Sequence, residues 1–349
     1  MAAAEVVRYV DPGCSGETHD GLAWETAYLS LFDCEAGEQA NLTTLGGGDG
    51  SWMHIYCRSS GEHPADDTVV YFNGWTTSAT NYILIEAAST DRAVKDSWDV
   101  TKYRLEGNVG YEGYGLLGIQ ENYVIIDGLQ IHIVYEDAVA YTFAVVFTTQ
   151  DAANSLVVKN CRILGDLDAA SNTVCICIDD ADAIVSVENC ILYNADTGAI
   201  QERNCTSLKV YNCVLYGVAT NALEIDHAGA VVRNCAIFNN TDDVQDDSGE
   251  ADIDYIATDD GDGGVHSISG LTWANEFVNA AGGDFTLKIG GSLEGAGIGP
   301  ESDADVPTTD IDGTTRSGTT CDIGADEYDA GGAGSIVPLI LAYHRRLRA

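Results

Sequence analysis

Three acidic side chains, Asp179, Glu202 and Asp226, stand ten, ten and eight residues ahead of Asn189, Asn212 and Asn234, each of which opens an Asn-Cys pair. If those asparagines mark equivalent points of a repeat, the carboxylates share roughly one column, with Asp180, Asp182, Glu224 and His227 close by. Carboxylates stacked about 4.8 Å apart raise one another's pKa, and a carboxyl kept protonated beside an ionised neighbour is what acid-assisted glycoside cleavage uses. Asp179, Glu202, Asp226 and His227 are therefore the candidate catalytic set. The plainer alternative is the acidic edge of a strand, with His227 an ordinary corner residue.

Other chemistries have less to work with. Proton abstraction by a basic group would fall to Lys159, Arg162, Arg203, Lys209 or Arg233, none of which sits in a motif. There is no Gly-rich phosphate loop, no nucleophile elbow and no cysteine or histidine cluster with metal spacing, so no protein-held metal is expected. Aromatic rings that could stack on sugars gather in the first third: Trp52, Trp75, Trp98, Tyr111 and Tyr114. Trp75, Trp98, Tyr111 and Tyr114 are the candidate glycan-binding set, with core packing as the ordinary alternative.

The elements that must hold these groups are legible in the repeat. "LVVKNCRILG" (156–165), "VSVENCILYN" (185–194), "LKVYNCVLYG" (208–217) and "VVRNCAIFNN" (231–240) each join two apolar runs through Asn-Cys. Asn160, Asn189, Asn212 and Asn234 are 29, 23 and 22 residues apart, the period of a solenoid whose short strands bury a face only by stacking. Asn suits a corner because it tolerates the left-handed conformation, and its amide can hydrogen-bond to the rung above. Cys161, Cys190, Cys213 and Cys235 then read as a ladder of small buried side chains, neither disulfides nor metal ligands; the eleven cysteines are in any case an odd number. Weaker copies at "NYILIEAAS" (81–89) and "YVIIDGLQIHI" (123–133) extend the coils over about 52–270, with Asp127-Gly128 in place of Asn-Cys and loops 89–115 and 134–152 protruding.

On these repeats the chain resembles the right-handed parallel β-helix proteins of the pectate-lyase-like superfamily. Two end motifs add to the likeness. The opening "YVDPGCSGETHDGLAWETAYLSL" (9–31) resembles their capping segment with its short helix, and 277–328 resembles their closing segment. The expected fold is all-β: a cap at 1–51, coils at 52–270, a closing segment at 271–328, and a Gly-rich hinge with an apolar and basic tail at 329–349. The resemblance implies binding or cleavage of acidic polysaccharides along one face, with calcium as the bridging ion a lyase would need.

Charge narrows the partners. Against 55 Asp and Glu stand 16 Lys and Arg, a net −39 that repels nucleic acid and anionic membranes. No apolar run approaches a membrane span, and the N-terminus lacks a secretory signal pattern. The tail is chemically distinct: Leu339, Leu341 and Tyr343 precede Arg345, Arg346 and Arg348, a pattern for docking in a groove whose carboxylates belong to a partner or a symmetry mate, with packing back on the last coil as the alternative. Together these features point to a structural or adhesive bacteriophage virion component, made in the host cytoplasm. Its expected partners are other virion proteins, further copies of itself, as in a trimer, and a host-surface polysaccharide. A polysaccharide hydrolase or lyase, or an extracellular adhesin, is the alternative.

Overall fold

The computed structural model describes residues 3–45, 50–109, 113–134, 141–148, 155–167, 172–227 and 229–328. Those residues form a parallel β-helix of three sheets. The first has nine strands in the order Ala4–Val10, Ser51–Cys57, Ile83–Ala87, Val124–Asp127, Ser155–Lys159, Ile184–Glu188, Ser207–Tyr211, Val231–Arg233 and Asp252–Asp254. The second and third have seven each, from Arg104–Gly107 to Ala257–Thr258 and from Val70–Phe72 to Asp242–Asp246. Every pairing along the three stacks is parallel, so the chain winds once round per rung; Ile184–Glu188, Ile191–Tyr193 and Gly198–Asn204 make one such turn. Segment 1–51 is more than a cap, because Ala4–Val10 is itself the first rung of the first sheet.

Alternation fills the interior. Ile55, Ile85, Ile126, Val158, Val187, Val210 and Val232 lie in register, and all are fully buried. Asn160, Asn189, Asn212 and Asn234 turn the corner between first and second sheets with φ of 53°, 51°, 52° and 55°. At the rung before them Gly128, φ 76°, holds the same place, one residue later than the spacing of Asp127-Gly128 suggests. The amide ladder runs from Asn189 Nδ2 to Asn160 Oδ1 (3.1 Å) and from Asn234 Nδ2 to Asn212 Oδ1 (3.3 Å). It is interrupted between Asn189 and Asn212, whose Nδ2 donates instead to the Asp322 carbonyl (3.3 Å). The four ladder cysteines are free and buried, and burial pushes the thiols of Cys161, Cys190 and Cys213 well above the ordinary range.

Helix Leu31–Glu38 closes the N-terminal end. Ser30 Oγ caps it by accepting from Asp33 N (3.0 Å), and its buried Leu31 and Cys34 pack on Ala4–Val10 and Val70–Phe72, the outermost strands of their sheets. The closing segment takes a different course from the expected end cap. It returns along the flank, where Phe277, Phe285 and Leu287 cover Tyr193, Tyr216 and Phe238 on the outer face of the second sheet. Fully buried Arg162 fastens it, donating to the Val94 and Lys95 carbonyls (3.0 and 3.2 Å) and to the Gly283 carbonyl. The last rung is closed by residues 259–268. Asp262 Oδ2 accepts from Val244 N (2.9 Å), Asp260 Oδ2 accepts from Asp243 N (3.3 Å), and Ile268 brackets the last strand of the second sheet.

Candidate functional site

The expected catalytic column does not form. In the third sheet Ile178, Glu202 and Ile225 are in register, whereas Asp179 sits beyond a bulge opposite Asn204 and Asp226 one residue past Ile225. Glu202 thus occupies an inward position and is fully buried, accepting from the backbone N–H of Asp226 and of His227 at 2.9 Å each. His227 Nδ1 lies 3.6 Å from its other oxygen. A carboxylate spent on two backbone donors inside the coil fixes the next turn and is not presented to a substrate. The outward column of this sheet is Cys177, Gln201, Glu224 and Gln245.

The aromatic expectation is half redirected. Trp75 belongs to the core, 5% exposed, with its indole N–H donating to Glu35 Oε1 (3.2 Å). Trp98 lies edge-on to His132 at 5.6 Å, and Tyr114 is exposed beside Tyr71 at 6.0 Å. Tyr111 and the docking residues Leu339, Leu341, Tyr343, Arg345, Arg346 and Arg348 lie outside the described residues.

A larger aromatic surface lies at the N-terminal end of the first sheet. Strand Ser51–Cys57 alternates Met53, Ile55 and Cys57 inward with Trp52, His54 and Tyr56 outward. Trp52 stacks on Tyr82 (centroids 5.0 Å) and neighbours His54 (5.3 Å), which contacts Tyr56 (3.8 Å). Tyr56 stacks on Tyr9 (6.0 Å), Tyr9 meets Trp24 (4.5 Å), and the Arg58 guanidinium lies 4.1 Å over the Trp24 ring. The rings run without a break from Tyr82 to Trp24. Along Tyr9, Trp24 and Tyr56 they border a cleft of ≈ 510 Å³ that is also lined by Glu86, which neighbours Tyr56 on the next rung, and by Ser89 and Arg92. A second cleft of ≈ 500 Å³ continues from Ser89 and Arg92 to Lys102, Asn160 and Asp310.

Charge here is locally mixed in a strongly acidic molecule. Arg58 lies over Trp24, Arg92 lines both clefts and Lys102 lines the second. Arg92 NH1 donates to Glu86 Oε1 (3.0 Å) and NH2 to Asp127, carboxylates on successive rungs. His54 is gripped on both ring nitrogens, Nδ1 to Glu5 Oε1 (2.7 Å) and Nε2 to Glu86 Oε2 (2.8 Å). Burial alone would lower its pKa, but those two hydrogen bonds outweigh it and hold the imidazolium above its ordinary value. Aromatic rings beside fixed hydrogen-bonding groups can take a polar ligand with apolar faces, as a saccharide ring has. Among the described residues, oxygens of Asp242, Asp260 and Asp262 lie within 4.8 Å of one another at the far end and could hold a divalent cation.

No protein-family model matches the chain, and no curated protein matches it. Similar solved structures include pectate lyase Pel9A, at 13% identity over 94% of this chain and 98% of that one, TM-score 0.41, and the pectin methylesterase from Aspergillus niger, at 11% identity over 77% and 85%, TM-score 0.40.

Proposed function

We propose that the protein is an adhesive β-helix rod that binds a saccharide chain at its N-terminal end, across the aromatic surface of Tyr82, Trp52, Tyr56, Tyr9 and Trp24 and the cleft beside it. The observation that carries this reading is the unbroken row of rings bordering a cleft walled by Glu86, Ser89 and Arg92. The rings offer broad apolar faces against which a sugar ring can bury its own, and fixed polar groups set orientation. In its most specific form the proposal is a virion component, a tailspike or fibre, that attaches to host-surface polysaccharide. The acidic exterior and rigid stacked architecture suit that role, and the dismantled carboxylate column speaks against cleavage at Asp179, Glu202 and Asp226.

The test is a binding screen of the full-length protein against neutral and acidic polysaccharides, with the length of the bound polymer followed in the same samples. Binding without shortening, weakened about tenfold or more by Trp24→Ala or Tyr56→Ala, supports the adhesin. Absence of binding to every surface polysaccharide of the candidate hosts would contradict it.

One observation favours a second reading as polysaccharide hydrolase. Glu86 and Asp127 are carboxylates on adjacent rungs that share Arg92, Glu86 also holding His54 and Asp127 also holding Lys159 and Asn160. Under that reading the substrate displaces Arg92, the polymer shortens, and Glu86→Gln abolishes the shortening while binding persists.

A further inference from the structure

We infer that the flank of the closing segment is a docking groove for this chain's own tail, residues 336–343. The groove, ≈ 600 Å³, is lined by the apolar Val278, Leu287, Ile289 and Tyr328 and by Lys95, Lys288, Asp326 and Glu327. Val278 and Ile289 are 51% and 79% exposed, an unusual display of aliphatic surface on so acidic a protein. Beyond Tyr328 the groove opens into a second depression of ≈ 540 Å³ formed by Asp312, Gly313, Thr314, Thr315 and Glu327. Asp312 also borders the cleft that contains Asp96 and Asp310. An apolar trough thus leads into a carboxylate-bearing one.

The tail carries the complementary order. Ile336, Val337, Leu339, Ile340, Leu341 and Tyr343 come first and Arg345, Arg346 and Arg348 follow, three of the sixteen basic residues of the chain. Tyr328, the last described residue, is itself a wall of both depressions, so the tail departs from the place it must return to. Ile336 is eight residues on, a reach of about 26–29 Å, and Gly331, Gly332 and Gly334 let the chain reverse. A tether this short gives the tail an effective concentration in the millimolar range, which favours its own groove over any other acceptor. Apolar side chains then cover Val278 and Ile289, and the arginines share Asp312 with Lys95 and Glu327 with Arg316.

The experiment compares the full-length protein, a chain ending at Tyr328, Ile289→Asp in each, and the free peptide 334–349, by hydrogen exchange, thermal melting and solution mass. The expected result is that truncation deprotects amides of 277–289 at least tenfold and lowers Tm by a few degrees. Ile289→Asp should reproduce both changes in the full-length chain and add nothing to the truncated one. The peptide should bind the truncated chain and not its Ile289→Asp variant. Unchanged exchange at 277–289 on truncation, equal peptide binding to both truncated forms, or conversion of an oligomer to monomers on truncation would each overturn the inference; the last would assign the tail to another copy.

Discussion

At the scale of single residues, Glu202 and His54 are both titratable groups turned toward protein, with different consequences. Glu202 stands in a rank otherwise held by Ile178 and Ile225 and answers two backbone N–H groups. Removing one partner of such a bond costs more than the bond's net worth, so Glu202→Ala should destabilise by about 2–4 kcal/mol in denaturant titration and leave saccharide affinity unchanged. A loss of affinity without loss of stability would return Glu202 to the functional set. His54, with a carboxylate on each nitrogen, ties the strand Ala4–Val10 to the third rung through Glu5 and Glu86. Because its folded pKa is raised, its contribution is complete below the unfolded value near 6.5 and is lost as pH rises through the folded one. The stability gap between the wild type and His54→Gln should therefore be about 1–3 kcal/mol at pH 6 and narrow in alkaline buffer. A gap independent of pH would show that His54 acts by packing alone.

At the scale of elements, the corner and the last rung carry the argument. Asn212 takes φ 52° and exchanges its amide with Asp322 and Asn234. Asn212→Ala should cost about 2–3 kcal/mol, combining left-handed strain with lost buried hydrogen bonds, and Asn212→Gly clearly less because it removes only the latter. Equal costs would mean that conformation is not the reason for asparagine. In the final rung Asp243 is 1% exposed and its carboxyl is pushed up to about 8, chiefly by burial and then by the Asp260 and Asp259 charges, against the Asn240 hydrogen bond. A raised carboxyl pKa means that the folded form binds the proton better: its contribution is full below the unfolded value near 3.9 and falls as pH rises toward 8. Asp243→Asn should thus melt higher than the wild type at pH 9 and match it near pH 4. A melting difference that does not vary with pH would contradict this.

The corners and the cysteine ladder were readable because each is a local matter: Asn-Cys recurs, and Cys161, Cys190, Cys213 and Cys235 follow the corner asparagines directly. Two things were not local. Counting back from the corners cannot see the bulge between Ile178 and Asp179, and one residue of slip exchanges outward for inward. The return path of the closing segment depends on contacts such as Arg162 with Gly283, 121 positions apart, with no periodic signal. Likewise Tyr9 and Trp24 stood in the quoted opening segment, but their union with Tyr56 exists only once the strands stack.

At the scale of the whole molecule, a column of nine rungs in the first sheet separates three surfaces. One end presents rings and a cleft with clustered basic groups, one flank is sheathed by the closing segment, and the far end is fringed by Asp242, Asp260 and Asp262. Stacked rungs open cooperatively, so ligand bound at one end should protect that end first. The direct measurement is hydrogen exchange of the full-length protein with and without the polysaccharide it retains in the binding screen. The account predicts added protection centred on Ser51–Cys57, the stretch 82–92 and the segment around Trp24. Protection centred instead on the outer face of the third sheet, around 198–227, would contradict it.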